Sequence, residues 1–325
     1  MPLIDPYGRK INYLRLSVTD RCNLRCRYCM PADGVPMLPH GDILSYEELS
    51  LVARTIVSLG IEKIRVTGGE PLVRKGIVGF LARLAGIPGL RQLVLTTNGV
   101  MLTEMAEALR GAGVQRLNVS LDSLVPETFR RITRLGDVSR VLAGIAAAEQ
   151  VGFPIKLNMV VMRGVNDHEV VDFATLTLAK PYAVRFIEYM PTVVEKDWPS
   201  KVVPGREILD RISTRFRLEE VDRNELAGPA SDFRIPGAAG ILGIITPITG
   251  HFCGDCNRIR VTATGKARGC LFSETELDLK PFLRAQDATG LEEALRRVVH
   301  VKPGAHRISE KPAGGQHLEM YRVGG

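Results

Sequence analysis

Strand-like and helix-like stretches alternate at near-regular spacing between residues 11 and 190, and no other feature of the 325-residue chain constrains its fold as tightly. The runs Tyr13–Val18, Lys63–Thr67, Gln92–Thr96, Arg116–Leu121, Ile155–Val161 and Val184–Glu188 are mostly rich in β-branched residues and Leu. That is the composition expected of parallel strands buried on both faces. Amphipathic stretches near 46–59, 75–85, 104–111, 138–151 and 167–179 separate them. Ser45-x-x-Glu48 and Asn166-x-x-Glu169 read as capping boxes that open two of these helices, and Gly60 and Gly152 as the glycines that close two. Repeated strand–helix units imply a parallel sheet. Six units are two short of a closed eight-stranded barrel. The expected fold is therefore α/β, a partial (β/α)6 TIM-type barrel with a C-terminal extension; a doubly wound sheet is the alternative.

Beyond Pro191 the pattern weakens, and residues 192–250 are richer in Pro, Gly and charge. A hairpin is expected from Arg258–Thr262 and Lys266–Leu271 around Ala263-Thr264-Gly265, then a helix over 290–299. The division expected is 1–225 for the barrel and 226–325 for the extension. Hydrophobic content is 45 %, ordinary for a soluble enzyme, and no apolar run approaches the ~20 residues of a membrane helix. The net charge of +7 points to an anionic partner. Dispersed basic residues and only 6 % aromatics favour a charged pocket over a nucleic-acid surface.

All six cysteines fall into two sets, Cys22, Cys26, Cys29 and Cys253, Cys256, Cys270. Three thiolates can hold three corners of a cubic iron–sulfur cluster and leave the fourth iron open for chemistry. Disulfides are the first alternative, but cysteine is sparse and the start of the chain carries no basic segment followed by an apolar run. Zinc is the second. The first set has no fourth Cys or His nearby, which favours iron and sulfide; for the second set zinc stays a rival. Exposed clusters of either kind imply a reducing compartment, hence a cytoplasmic protein.

Charge also sits where it is costly. Arg15, Arg65, Lys156 and Arg185 lie within runs that should be buried, which argues for a function unless each is a strand-end ion pair. Arg258 and Arg260 share one strand face by the period of two, so both can point at one ligand. Gly68-Gly69-Glu70-Pro71, Thr96-Thr97-Asn98-Gly99 and Ser120-Leu121-Asp122 follow or end successive strands, at the edge where parallel barrels place their active sites.

Cys22-x3-Cys26-x2-Cys29, with Tyr28 before its last cysteine, resembles the radical S-adenosylmethionine (SAM) fingerprint. That resemblance implies a 4Fe–4S cluster whose open iron chelates SAM, which one electron cleaves to a 5′-deoxyadenosyl radical. It also implies SAM contacts at Tyr28, Gly69, Glu70, Ser120 and Met190. Arg185-Phe-Ile-Glu188-Tyr-Met190-Pro191, Cys253-x2-Cys256-x13-Cys270 around Asn257-Arg258-Ile-Arg260, and the terminal Gly324-Gly325 resemble the GTP 3′,8-cyclase family over essentially the whole chain. Members begin molybdenum cofactor biosynthesis. The resemblance implies a second 4Fe–4S cluster in the C-terminal extension, on Cys253, Cys256 and Cys270, holding the guanine base. It assigns Arg15, Lys63, Arg65, Thr96, Lys156, Arg185, Arg258 and Arg260 to GTP, whose triphosphate suits several guanidinium forks. Gly324 and Gly325 would enter the site as a slim tail. A homodimer, a flavodoxin-type electron donor and a downstream cyclic pyranopterin monophosphate synthase are implied, with no membrane or nucleic-acid partner. A radical SAM enzyme acting on a peptide or RNA, and a non-enzymatic zinc- or cluster-binding regulator, are the other readings.

Overall fold

The computed structural model describes residues 2–36, 38–190, 197–222, 228–250, 252–273, 275–306 and 320. Six strands lie side by side in chain order and all parallel: β1 (Tyr13–Ser17), β2 (Lys63–Thr67), β3 (Gln92–Thr97), β4 (Arg116–Ser120), β5 (Ile155–Val161) and β6 (Ala183–Glu188). The later chain adds β7 (Glu219–Val221), β8 (Ser231–Arg234), β9 (Ile241–Ile245), β10 (Arg258–Val261), β11 (Lys266–Arg268) and β12 (Leu277–Asp278). Two of these extend the parallel row: β9 lies parallel beside β6, and β10 parallel beside β1. Antiparallel pairs finish both edges, β8 and β7 beyond β9, β11 and β12 beyond β10.

The sequence shows six of these parallel strands and hides two. β10 is visible only as half of the hairpin with β11, which forms as expected. β9 is broken by Gly243, so its period is faint. The glycine is needed there, because a Cβ would stand 2.9 Å from Asp232 Oδ1 and 3.1 Å from Arg185 Cγ.

The connecting helices are α1 (Tyr46–Ser58), α2 (Ile77–Ala85), α3 (Leu102–Gly111), α4 (Pro126–Thr133), α5 (Val138–Gln150) and α6 (Val170–Ala179). They are followed by α7 (Trp198–Lys201), α8 (Gly205–Ser213), α9 (Lys280–Arg284) and α10 (Ala288–His300). The Ser45 box is present: Ser45 Oγ accepts from Glu48 N at 3.1 Å and Glu48 Oε2 accepts from Ser45 N at 2.7 Å. Gly60 and Gly152 take φ of +104° and +76° after α1 and α5. The Asn166 box does not form. Asn166 is used on the β5 side, accepting from Met162 N and donating to Asp122 O and Val160 O, while Glu169 accepts from Ser123 Oγ and Leu124 N.

Nor are the strands apolar on both faces. One face carries Leu14, Leu16, Ile64, Val66, Leu117, Val119, Val184 and Phe186, all fully buried in the single main core beneath the helices. The other carries Arg15, Arg65, Thr96, Asn118, Lys156, Arg185 and Arg260. The period of two is strict, and the second face is polar because it borders a cavity. Register places Arg15 between Arg65 and Arg260, Asn118 opposite Lys156, and Arg185 between Asn158 and Gly243.

Candidate active site

All six cysteines are free thiols and all six open into one cavity, on the polar face of the sheet. The first set lies on the loop after β1. Cys29 N and Met30 N both donate to the Cys26 carbonyl, at 2.9 and 3.1 Å, which winds the loop into a turn. The end of α4 clasps it: Arg25 N donates to Thr133 O at 3.0 Å and Arg27 N to Ile132 O at 2.9 Å. Arg134 completes the clasp, with Nη1 on the carbonyls of Arg25 (2.7 Å) and Met30 (3.1 Å) and a left-handed φ of +64°. From the β3 end, Asn98 Nδ2 donates to Asn23 Oδ1 at 2.7 Å and faces Cys22 Sγ at 3.9 Å.

Gly69 and Glu70 are fixed by the same loop. A Cβ on Gly69 would lie 2.4 Å from the Arg21 carbonyl, so the close approach that glycine permits here is to the chain's own backbone. The Glu70 carboxylate accepts from Leu72 N (3.1 Å), Thr97 Oγ1 (2.9 Å) and Asn98 N (2.6 Å), and burial still raises it to about 7. Tyr28 donates to Asp122 Oδ2 at 2.7 Å, while Asp122 Oδ1 accepts from Val160 N at 2.9 Å. Burial lifts Asp122 to about 6.

The thiols suit an iron cluster. Burial pushes Cys22 to about 11 and Cys26 well above the ordinary thiol range, so thiolates form there only against a cationic centre. Among the described residues no three His, Cys, Asp or Glu side chains are grouped to hold a single metal ion. In the second set, burial alone would raise Cys256, but Arg258 and Lys302 outweigh it and bring it down to about 6.

The cationic wall is dense. Arg15, Arg65, Arg185, Arg258 and Arg260 line the cavity together with Thr96, Ser120, Met190, Tyr28, Gly69 and Glu70. Lys63 and Lys156 do not line it but stand beside it. Lys63 sits 4.7 Å from the centre of the Tyr13 ring. Burial, then Arg65 and Arg116, lowers Lys63 to about 7; burial, then Arg185 and Arg116, lowers Lys156 to about 6. Burial likewise brings Arg185 and Arg260 down to about 10. Asp232 offsets this partly, at Lys156 and Arg185. So many cationic side chains gathered on one largely buried wall form a receptor for an anion. Orphaned polar atoms agree: Thr67 Oγ1, Thr96 Oγ1 and Arg185 Nε are buried on this cavity without a hydrogen-bond partner.

Sequence reasoning missed Arg116, Thr67, Arg134 and Lys302, while Asn98 stands in the strand-end segment Thr96–Gly99 that it singled out. Arg116 shares the polar face of β4 with Asn118 and Ser120 by the period of two, a signal the sequence does carry. Arg65 Nε and Nη2 both reach the Asn118 side-chain oxygen at 3.1 Å, in the amide orientation that satisfies both groups. Gly324 and Gly325 lie outside the described residues.

Two family models match, that of the Radical SAM superfamily over residues 16–177 and that of Molybdenum Cofactor Synthesis C over residues 182–308. A GTP 3′,8-cyclase of Geobacter sulfurreducens is 66 % identical, with 100 % of each chain covered. The chain belongs to the GTP 3′,8-cyclase family of radical SAM enzymes. A GTP 3′,8-cyclase of Moorella thermoacetica is 47 % identical over 99 % of each chain. Among solved structures, Streptococcus suis SuiB bound to S-adenosylmethionine has a TM-score of 0.59 at 13 % identity, covering 89 % of this chain and 69 % of that one. That likeness shows a shared radical SAM fold.

Proposed function

We propose that the protein converts GTP to (8S)-3′,8-cyclo-7,8-dihydroguanosine 5′-triphosphate, the first step of molybdenum cofactor biosynthesis. One observation carries the reading within this family: two three-cysteine sets and a wall of five arginines open into one cavity. Residues from every strand between β10 and β9 line or border that cavity, which supports a sheet curled into a partial barrel, with 1–225 as the barrel and 226–325 as the region of the second cluster.

When bound, SAM and the first 4Fe–4S cluster supply a 5′-deoxyadenosyl radical through one-electron cleavage. Cys22, Cys26 and Cys29 would hold that cluster, and Cys253, Cys256 and Cys270 the second. Tyr28, Gly69, Glu70, Ser120 and Met190 border the SAM side. Arg15, Arg65, Arg185, Arg258 and Arg260 bind the triphosphate, Lys63 and Lys156 add positive charge from beside the cavity, and Thr96 offers its unpartnered hydroxyl to the nucleotide. Fixing the ribose and base of one bound molecule makes ring closure an intramolecular step. In the net reaction GTP loses a hydrogen atom from C3′, gains the C3′–C8 bond at the expense of the C8=N7 double bond, and takes one electron from the reductant and a proton at N7, so the product is an isomer of GTP. The glycine tail Gly324-Gly325 is proposed to order the site. A homodimer, a flavodoxin-type reductant, a downstream cyclic pyranopterin monophosphate synthase and a reducing, cytoplasmic setting complete the proposal. No helix of the described residues is long and apolar enough to cross a membrane.

Anaerobic protein reconstituted with iron and sulfide, given SAM, GTP and dithionite, tests it by mass spectrometry. The expected products are GTP-dependent 5′-deoxyadenosine and a GTP isomer of unchanged mass. Deoxyadenosine without altered GTP would reject the substrate.

A further inference from the structure

The second cysteine set is held from outside its own loop. Near the start of the chain, the buried carboxylate of Asp5 accepts from Tyr7 N and Arg9 N, each at 3.0 Å, closing a turn in which Gly8 has φ +78°. The same carboxylate accepts from Arg9 Nε at 2.5 Å. Arg9, 9 % exposed, then donates to three distant carbonyls: Nη1 to Cys253 (2.6 Å) and Gly304 (3.0 Å), Nη2 to Pro303 (2.7 Å). Lys302, 2 % exposed, works from the other side. Its Nζ donates to Cys256 Sγ at 3.2 Å, Arg258 O at 3.1 Å and Gly269 O at 2.7 Å, one partner for each ammonium proton.

Residues 302–304 therefore form a strap, gripped by Arg9 through two carbonyls and gripping the cysteine segments through the ammonium. Two glycines permit the closeness. A Cβ at Gly269 would stand 2.9 Å from Lys302 Cβ, and one at Gly304 2.8 Å from the Tyr7 ring. A buried ammonium is tolerated beside negative charge, and a cysteine sulfur is among the groups this one touches.

We infer that Arg9 and Lys302 are positioning residues for the second cluster, tying the backbone at Cys253, the sulfur of Cys256 and the backbone before Cys270 to one strap. Arg9 lies outside both matched stretches, 16–177 and 182–308. The inference rests on the reading that the second set holds a cluster.

The test compares parent, Arg9→Gln, Lys302→Met and Lys302→Arg after anaerobic reconstitution, by iron and sulfide content, electron paramagnetic resonance and thermal melting. The parent should carry about eight irons, and Arg9→Gln and Lys302→Met about four, with SAM cleavage retained. Lys302→Arg, which keeps the charge and the donors, should keep the second cluster. About eight irons and an unchanged second-cluster spectrum in both Arg9→Gln and Lys302→Met would overturn the inference. So would iron lost equally from both sites, the mark of general unfolding. Loss in Lys302→Arg equal to that in Lys302→Met would reject the role of the charge. A parent holding about four irons would remove the second-cluster reading itself, and the strap's role with it.

Discussion

Lys63 and Lys156 carry the clearest signature of a ligand site at the level of single side chains. Lys63 is buried and Lys156 half-buried among guanidinium groups, and their folded values of about 7 and about 6 lie far below the ~10.4 of an unfolded lysine. Between those values the unfolded chain binds the proton and the folded chain does not. Each lysine therefore costs the nucleotide-free protein stability as pH falls from about 10 toward its folded value, and the cost is constant below it. Lys63→Met and Lys156→Met should each raise the melting temperature at pH 7 while weakening GTP binding; a lower melting temperature would contradict the account. A bound triphosphate favours the charged lysines, so GTP should bind with proton uptake near pH 8, read from calorimetry in buffers of different ionisation heat. Arg258→Ala or Arg260→Ala should weaken GTP by about 1–3 kcal/mol for a lost charge-assisted contact; unchanged affinity would count against the cationic wall. Arg15, Arg65, Lys156 and Arg185 were legible in the sequence because a charge inside a strand is an anomaly. Arg116 opens β4, where a charge passes as an ordinary strand end. Lys302 follows a helix with nothing in its spacing to mark it, and only the folded chain brings it to Cys256.

At the level of elements, the strand–helix alternation made β1 to β6 legible to within a residue or so at each end. It also concealed why those strands alternate. Their polar halves face a cavity, so runs that looked buried on both sides are apolar on one. α4 escaped notice because it is eight residues long and half polar, yet its last turn clasps the cysteine loop. The Gly68–Gly69 step locks onto the same loop through backbone contacts. Gly69→Ala should push that loop away, costing about 1–3 kcal/mol by overpacking and loosening the first cluster. Melting temperature and iron content measure both, and a variant matching the parent in both would show that the contact can relax. Phe186→Ala, on the apolar face of β6, should cost about 3–5 kcal/mol in a denaturation experiment without changing which ligands bind.

Across the whole molecule, the two halves of the chain meet on one cavity: the loop after β1 brings one cysteine set, and the segment before β10 with the turn after β11 brings the other. The two sets should be separable by mutation. Cys26→Ala removes a ligand of the first cluster and should abolish SAM cleavage. Cys256→Ala should leave uncoupled cleavage and stop cyclisation; cyclic product at the parental rate from Cys256→Ala would refute the assignment of the second set. The central claim is that one cavity delivers a radical to the ribose of a bound GTP. Its most direct test is the reaction of GTP deuterated at C3′ with the reconstituted protein, SAM and dithionite. The account predicts deuterium in the 5′-deoxyadenosine and its loss from C3′ of the cyclised nucleotide. Deoxyadenosine free of deuterium, formed alongside a cyclised product, would contradict it.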